Sequence, residues 1–285
     1  MQDIQELCED NFEIYDAYLG KDCAEDMRRE FFRGYGACRE DGTPAGAMVY
    51  ELIDAEKEDE PVKSRIRFLQ ADSEELLDDM QKQYLEEGIS EEEISESFYW
   101  LEGERSAASC EKAGFSKERR ESDCVCMTLK EAAEIPFFAK IKKLPGFICS
   151  LDKLTSIQYR LAIKNCLFKE KKGLLEDLGY LQQDWFETTV SACTITDDEA
   201  SGLFLIRARA SGILEPVLLT ASGPDFQKHL AMMIAYAIKK GLETYPPETE
   251  IRIFRSRAET AALVKKLLPG RKGVELFFGN RKEHN

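Results

Sequence analysis

Residues 103–115, Gly-Glu-Arg-Ser-Ala-Ala-Ser-Cys-Glu-Lys-Ala-Gly-Phe, set one thiol, Cys110, on a short helix that stops at a glycine with an aromatic just beyond. A cysteine with its ordinary pKa of about 8.5 can give up a proton near neutrality. As a small buried apolar residue it does no chemistry at all. Glu51 and Glu102 end strands and carry carboxylates able to accept a proton through water. A different chemistry is offered by "LLTASGPDFQKHLAMM", where a strand runs into a helix. Backbone N–H groups at a helix start hold anions, and a glycine lets the backbone come close. Leu219, Thr220, Ala221, Ser222 and Gly223 with Lys228 form that candidate site. Against it, Pro224 removes a donor and Asp225 adds negative charge, and Ser222-x-x-Asp225 also reads as an ordinary capping box. His229 opens the apolar stretch of the same helix, where Met232, Met233 and Tyr236 face the core by spacing.

Metal chemistry has no foundation in the sequence. Cys124 and Cys126 share a face of an alternating strand, but the two histidines, His229 and His284, lie far from them, so no metal site is expected. Gly-x-Ser-x-Gly, a P-loop, His-Glu-x-x-His and a dinucleotide fingerprint are all missing. A formal charge of −15 repels a phosphate backbone and excludes nucleic acid as a partner. No apolar run reaches the roughly 18 residues of a membrane helix. The acidic start "MQDIQELCEDNF" is no secretory signal, so the expected location is the cytoplasm, with the nine cysteines reduced.

The elements that must position these residues repeat. Residues 3–32 have helical spacing. A hairpin around Asp41-Gly42, the strand "SRIRFLQA", a helix with an Asp72-x-x-Glu75 box ending at Gly88, the strand "SESFYWLEG", the helix "ERSAASCEKAG" and the closing strand "DCVCMTLKE" follow. About 150 residues later the same list returns in the same order, with almost no shared letters, as a duplicated fold leaves it. There it comprises a hairpin across Asp197-Asp198-Glu199, "EPVLLTAS", "PDFQKHLAMMIAYAIKKG", "TEIRIFRS", "RAETAALVKKLL" and "GVELFFG". Helices over "PGFICSLDKLTSIQYRLAIKNCLF" and "LLEDLGYLQQDWF" join the halves, and two domains are expected, 1–135 and 136–285.

Helical start, antiparallel hairpin, strand, helix, strand, helix, strand: this order resembles the GCN5-related N-acetyltransferase (GNAT) superfamily, twice over. The resemblance implies an α/β fold (α+β) of two tandem GNAT-like domains, each a mixed, mostly antiparallel sheet flanked by helices. Its most specific local match is Glu111, Lys112, Gly114 and Phe115 of the last helix, where members often read Asn-x-x-Ala-x-x-x-Tyr-Glu-Lys-x-Gly-Phe. Cys110 stands at the tyrosine that protonates the departing thiolate, Gly103 and Ser106 stand at the asparagine and alanine, and the second-half counterpart of Cys110 is near Val264. The resemblance further implies acetyl-CoA held between the fourth and fifth strands, its pyrophosphate on a glycine-rich turn that neither half contains. In the first half Asp72, Glu74 and Glu75 occupy that junction; the second half, with Gly223, is less hostile. Two functions remain open. One is an acyl-CoA-dependent N-acetyltransferase acting on a small amine or amino group. The other is a degenerate GNAT-fold binding protein without acetyl-CoA chemistry.

Overall fold

The structure, a computed structural model, describes residues 3–8, 10–28, 31–53, 62–169, 182–196, 199–222, 225–256 and 258–282. They form two compact units, one of residues 1–122 with 274–285, the other of residues 123–273.

The first unit is built on β1 (Asp3–Glu6), β2 (Phe32–Cys38), β3 (Pro44–Ile53), β4 (Lys63–Ala71), β5 (Glu96–Leu101), β6 (Glu118–Glu121) and β13 (Glu275–Lys282). The strand order is β1-β2-β3-β4-β5-β13-β6. Every neighbour is antiparallel except β4 and β5, which pair in parallel over Lys63–Ile66 and Glu96–Tyr99 and then separate. One face buries Tyr35, Met48, Tyr50, Ile66 and Tyr99 against α2 (Glu74–Gln83) and α4 (Glu104–Lys112). A short π-helical turn (Tyr84–Gly88) and α3 (Ile89–Glu91) extend α2 and bury Tyr84 and Ile89. The other face carries a 3-10 turn (Phe12–Tyr15) and α1 (Asp16–Asp26), with Phe12, Tyr15 and Leu19 on Ala47 and Val49.

The stretch 110–115 is a helix terminus of Schellman type: the Phe115 N–H donates to the Cys110 carbonyl (3.0 Å) and the Gly114 N–H to Glu111 (3.1 Å). Gly114 sits at φ +91°, where a side chain is strained, and Phe115 is buried edge-on to Tyr99.

The second unit repeats the plan with β7 (Cys124–Thr128), β8 (Ile148–Ser150), β9 (Ala192–Thr196), β10 (Glu199–Ala208), β11 (Leu214–Ala221) and β12 (Glu250–Phe254), in the order β7-β12-β11-β10-β9-β8. Again one pair is parallel, β11 with β12, and it closes at a single position, Leu214 opposite Ile251. Phe204, Ile206, Leu214, Met233 and Tyr236 form the core with α8 (Phe226–Thr244), α5 (Leu129–Glu134) and α6 (Pro136–Ala139). Leu151, Tyr159, Leu203, Leu205 and Leu218 form the opposite core with α7 (Ser156–Lys169). α9 (Ala258–Leu267) buries Val264.

Four expectations change. Residues 3–6 are a strand pairing along β2, so helix occupies only part of 3–32. Residues 148–150 likewise form β8 ahead of the expected helix. Asp72 does not cap α2; Ser73 does, its Oγ accepting from the Leu76 N–H at 3.2 Å, because Asp72 is held by Arg39 and Tyr18. Finally, the closing strands are exchanged: β7 completes the second sheet on β12, and β13 enters the first sheet between β5 and β6. The units are thus divided at 122/123 and 273/274, and β7 falls on the other side of the boundary from the expected 1–135 domain. Asp197 and Asp198, the charged stretch 54–61 and most of "LLEDLGYLQQDWF" lie outside the described residues.

Candidate functional site

The fold offers one opening per unit, where the parallel strands separate. In the first unit a side chain of α4 reaches across to the strand that leaves the pair. The Ser106 hydroxyl, one turn into α4, donates to the Leu69 carbonyl of β4 at 2.5 Å, taking a backbone acceptor on the freed stretch of that strand. Helix α4 is pinned to α2 by Ser109 and Lys112, which both donate to Asp78 (2.7 and 3.1 Å). At the base of the opening the Tyr84 hydroxyl donates to Ser97 Oγ (2.8 Å) and also bonds Ser64. Glu74 and Glu75 lie in the first turn of α2, where an anion would have to sit.

The proton-moving candidates of this unit are not gathered at one point. Cys110 is fully buried; its Sγ accepts from Gln81 Nε2 at 2.9 Å, and burial pushes its thiol far up, keeping it neutral. Glu51 is held by its Oε2, which accepts from Arg65 Nη2 (2.6 Å), Arg65 Nε (3.1 Å) and Arg67 Nη1 (3.2 Å). Arg65 in turn lies over the Trp100 ring at 4.7 Å. Glu51 pairs with Arg65, and Arg65 with Phe98, whereas Glu102 is exposed past the far end of β5. Four residues of strand put about 13 Å between the levels of the two carboxylates along the sheet.

The second opening is wide. Beyond Leu214 and Ile251, β11 and β12 diverge over a cavity of about 400 Å³. Its walls come from both strands, from β10, β7 and from α5, α6, α8 and α9, and they are apolar except at Glu215, Ser256 and Thr260. Leu219 is on the wall. Thr220 and Ala221 continue β11 and pair with Leu203 and Gly202 of β10. Ser222 turns back to β10: its N–H (2.8 Å) and its Oγ (3.2 Å) both donate to the Ser201 carbonyl, so it does not cap α8. Gly223 lies outside the described residues. The N-cap of α8 is Asp225, which makes no side-chain capping bond, and no acidic residue occupies the first turn. Lys228 is exposed there. His229 packs on Phe147, ring centroids 4.9 Å apart, and its buried Nδ1 has no partner. Met233 and Tyr236 are core residues as their spacing predicts. Val264, the counterpart of Cys110, is buried on the cavity wall and brings no proton donor.

Sequence reasoning missed Glu215, Ser256 and Thr260, because only the divergence of β11 from β12 brings a strand start, a strand exit and a helix start to one cavity. It also missed the cross-strand thiols Cys149 and Cys193, whose sulfurs are 3.4 Å apart. The hydrogen bond with Cys193 lowers the Cys149 thiol to about 7, and the same bond together with burial pushes Cys193 up. Cys124 and Cys126 do share a face, with sulfurs 4.0 Å apart. Among the described residues no group of three or more His, Cys, Asp or Glu is placed to hold a metal ion, and no helix is long and apolar enough to cross a membrane. His284 lies outside them.

No family model and no curated protein sequence matches this chain. Among solved structures it is similar to a tandem GNAT protein from the clavulanic acid biosynthesis pathway: TM-score 0.61, 12% identity, covering 100% of this chain and 99% of that one. It is also similar to the GCN5-related glucosamine N-acetyltransferase region of a fungal multi-domain beta-N-acetylglucosaminidase (TM-score 0.60, 9% identity, 99% of this chain and 38% of that one). A GCN5-related N-acetyltransferase from Sphaerobacter thermophilus matches at TM-score 0.54 and 10% identity, over 99% and 95% of the two chains. The fold is that of the GNAT acetyltransferases. At such identities the likeness speaks for the fold and leaves the chemistry to the site.

Proposed function

We propose that the chain is an acyl-CoA-dependent N-acyltransferase of the GNAT type, acting on a small amine or amino group, and that its second unit alone holds the CoA ester. The observation that carries this reading is the contrast between the two openings. In one, β4 and β5 stay paired over four positions and Ser106 of α4 takes the Leu69 carbonyl beyond them; the other parts after a single paired position over a cavity of about 400 Å³.

The residues present fit such a ligand. The facing edges of β11 and β12 can hydrogen-bond an amide-bearing arm laid between them. Leu219 would line the arm, with Thr220, Ala221 and Ser222 continuing toward α8. There the first N–H groups of a 19-residue helix and the Lys228 ammonium favour a diphosphate. CoA supplies the acyl group as an activated thioester. Of the polar cavity residues, Ser256 and Thr260 would offer hydroxyls beside the end of β12, whereas Glu215 stands opposite Arg207 of β10, on the other face of the sheet from Ile206 and Leu214, and is given no proton-transfer role. The proposal does not use Cys110, Glu51 or Glu102, and it needs no metal.

Isothermal titration with acetyl-CoA tests it. Saturable binding is expected, with added stability of about 2.7 kcal/mol at a hundredfold excess over Kd. Lys228→Glu should weaken binding about tenfold, a loss of roughly 1.4 kcal/mol, whereas Glu74→Lys should leave it unchanged. Absence of saturable binding at millimolar ester would overturn the reading and leave a GNAT fold without CoA chemistry.

A further inference from the structure

The cavity is larger than an acetyl group requires, and it runs in a direction that a CoA arm does not. An arm laid between β11 and β12 touches those two strands. The cavity also reaches Phe204 and Ile206 on β10, one strand to one side, and Met127 on β7, one strand to the other. Four adjacent strands at about 4.8 Å spacing make this a trough of roughly 14 Å across the sheet. Its roof includes Ala237 of α8, Val264 of α9 and Phe138 of α6. The polar residues on it, Glu215, Ser256 and Thr260, all belong to the segments around the strand opening; those contributed by β10, β7, α5, α6 and α8 are apolar.

In the first unit Tyr50, Met80 and Tyr84 are buried in the core, and α2 and α4 are tied together through Asp78. An apolar cavity of this size gains nothing from water, which needs several polar partners to be held. About 150 Å³ of apolar cavity suffices for the six carbons of benzene. The cavity of about 400 Å³ therefore has room for a chain on the order of ten carbons.

We infer that the second unit takes a medium-length fatty acyl-CoA, with the acyl chain lying across β10, β11, β12 and β7 beneath α8 and α9. The inference rests on the proposed CoA site and adds the class of acyl group. Each buried methylene contributes about 0.8 kcal/mol, which is three- to fourfold in affinity. Eight extra carbons are thus more than enough for a large preference, even with incomplete burial.

The test is titration of the wild-type chain with acetyl-, hexanoyl- and decanoyl-CoA, below their micellar concentrations, with free CoA as reference. Affinity is expected to climb with chain length, and decanoyl-CoA should bind at least a hundredfold more tightly than acetyl-CoA. Ala237→Phe, which fills the trough from α8, should close most of that gap; Leu267→Trp from α9 serves as a second variant. Should either variant fail to fold, the wild-type series decides alone. Equal affinity for all three esters overturns the chain-length inference and leaves the acyl-CoA reading standing. Binding of none of them overturns both.

Discussion

A thiol at full burial, accepting a hydrogen bond from Gln81, is a poor source of protons and a good space filler. Cys110→Ala removes that acceptor and leaves the Gln81 amide buried without it. The expected cost is about 1–3 kcal/mol in urea denaturation, with no change in acyl-CoA binding. Loss of binding at unchanged stability would return Cys110 to the list of functional residues. Cys149 behaves differently. The hydrogen bond with Cys193 lowers its thiol below the usual value, so its thiolate fraction grows at lower pH than that of an ordinary cysteine. Alkylation by iodoacetamide, followed by mass spectrometry, should therefore show Cys149 becoming reactive at lower pH than free cysteine while Cys193 stays protected; reaction of both only at higher pH would contradict the lowered Cys149 thiol. Neither residue's environment is legible in the sequence. The helix, glycine and phenylalanine around Cys110 were readable as a terminus, but which side of α4 faces Gln81 is settled by packing. Cys149 and Cys193 meet only because β8 and β9 pair.

Periodicity identified most strands and helices, since burial on one face leaves its trace whatever the partner. It does not say which edge a strand joins. Alternating Val125 and Met127 mark β7 as half-buried, and they would do so equally well in either sheet. The exchange is written instead in a few close approaches. At Gly279 of β13 an added Cβ would meet the Ser116 carbonyl oxygen at 1.8 Å and the Tyr99 ring at 2.4 Å. Gly279→Ala is thus expected to destabilise the first unit by about 3 kcal/mol or more, read as a lowered midpoint of thermal unfolding. An unshifted midpoint would argue that β13 does not run beside β5 in this register. The short strands β1 and β8 escaped sequence reading for another reason: at four and three residues, neither is long enough to set up a period.

At the scale of the whole molecule, exchange of β7 and β13 means that neither half of the chain contains all of its own sheet. A chain ending at Gly273 lacks a strand from the interior of the first sheet, and a fragment beginning at residue 136 lacks β7 and α5. Expressed alone, 1–135 and 136–285 should fail to fold cooperatively; co-expressed, they should co-purify as one species on size exclusion. A cooperative melt from either fragment by itself would contradict the exchange. The near-constant offset between the halves made the doubling of the fold legible from the sequence. The difference between the two openings was legible only in part, through the acidic junction at Asp72, Glu74 and Glu75. The remaining contrast, Ser106 bonded across to β4 in one unit and a cavity beside the parted strands in the other, depends on helix placement that letters do not carry. Hydrogen exchange with and without decanoyl-CoA, read by mass spectrometry, tests the central claim most directly. Slowed exchange within the second unit, at 214–222 and 250–256 and in α8 and α9, is the predicted result; protection at 63–71 and 96–101 instead, or nowhere, would contradict it.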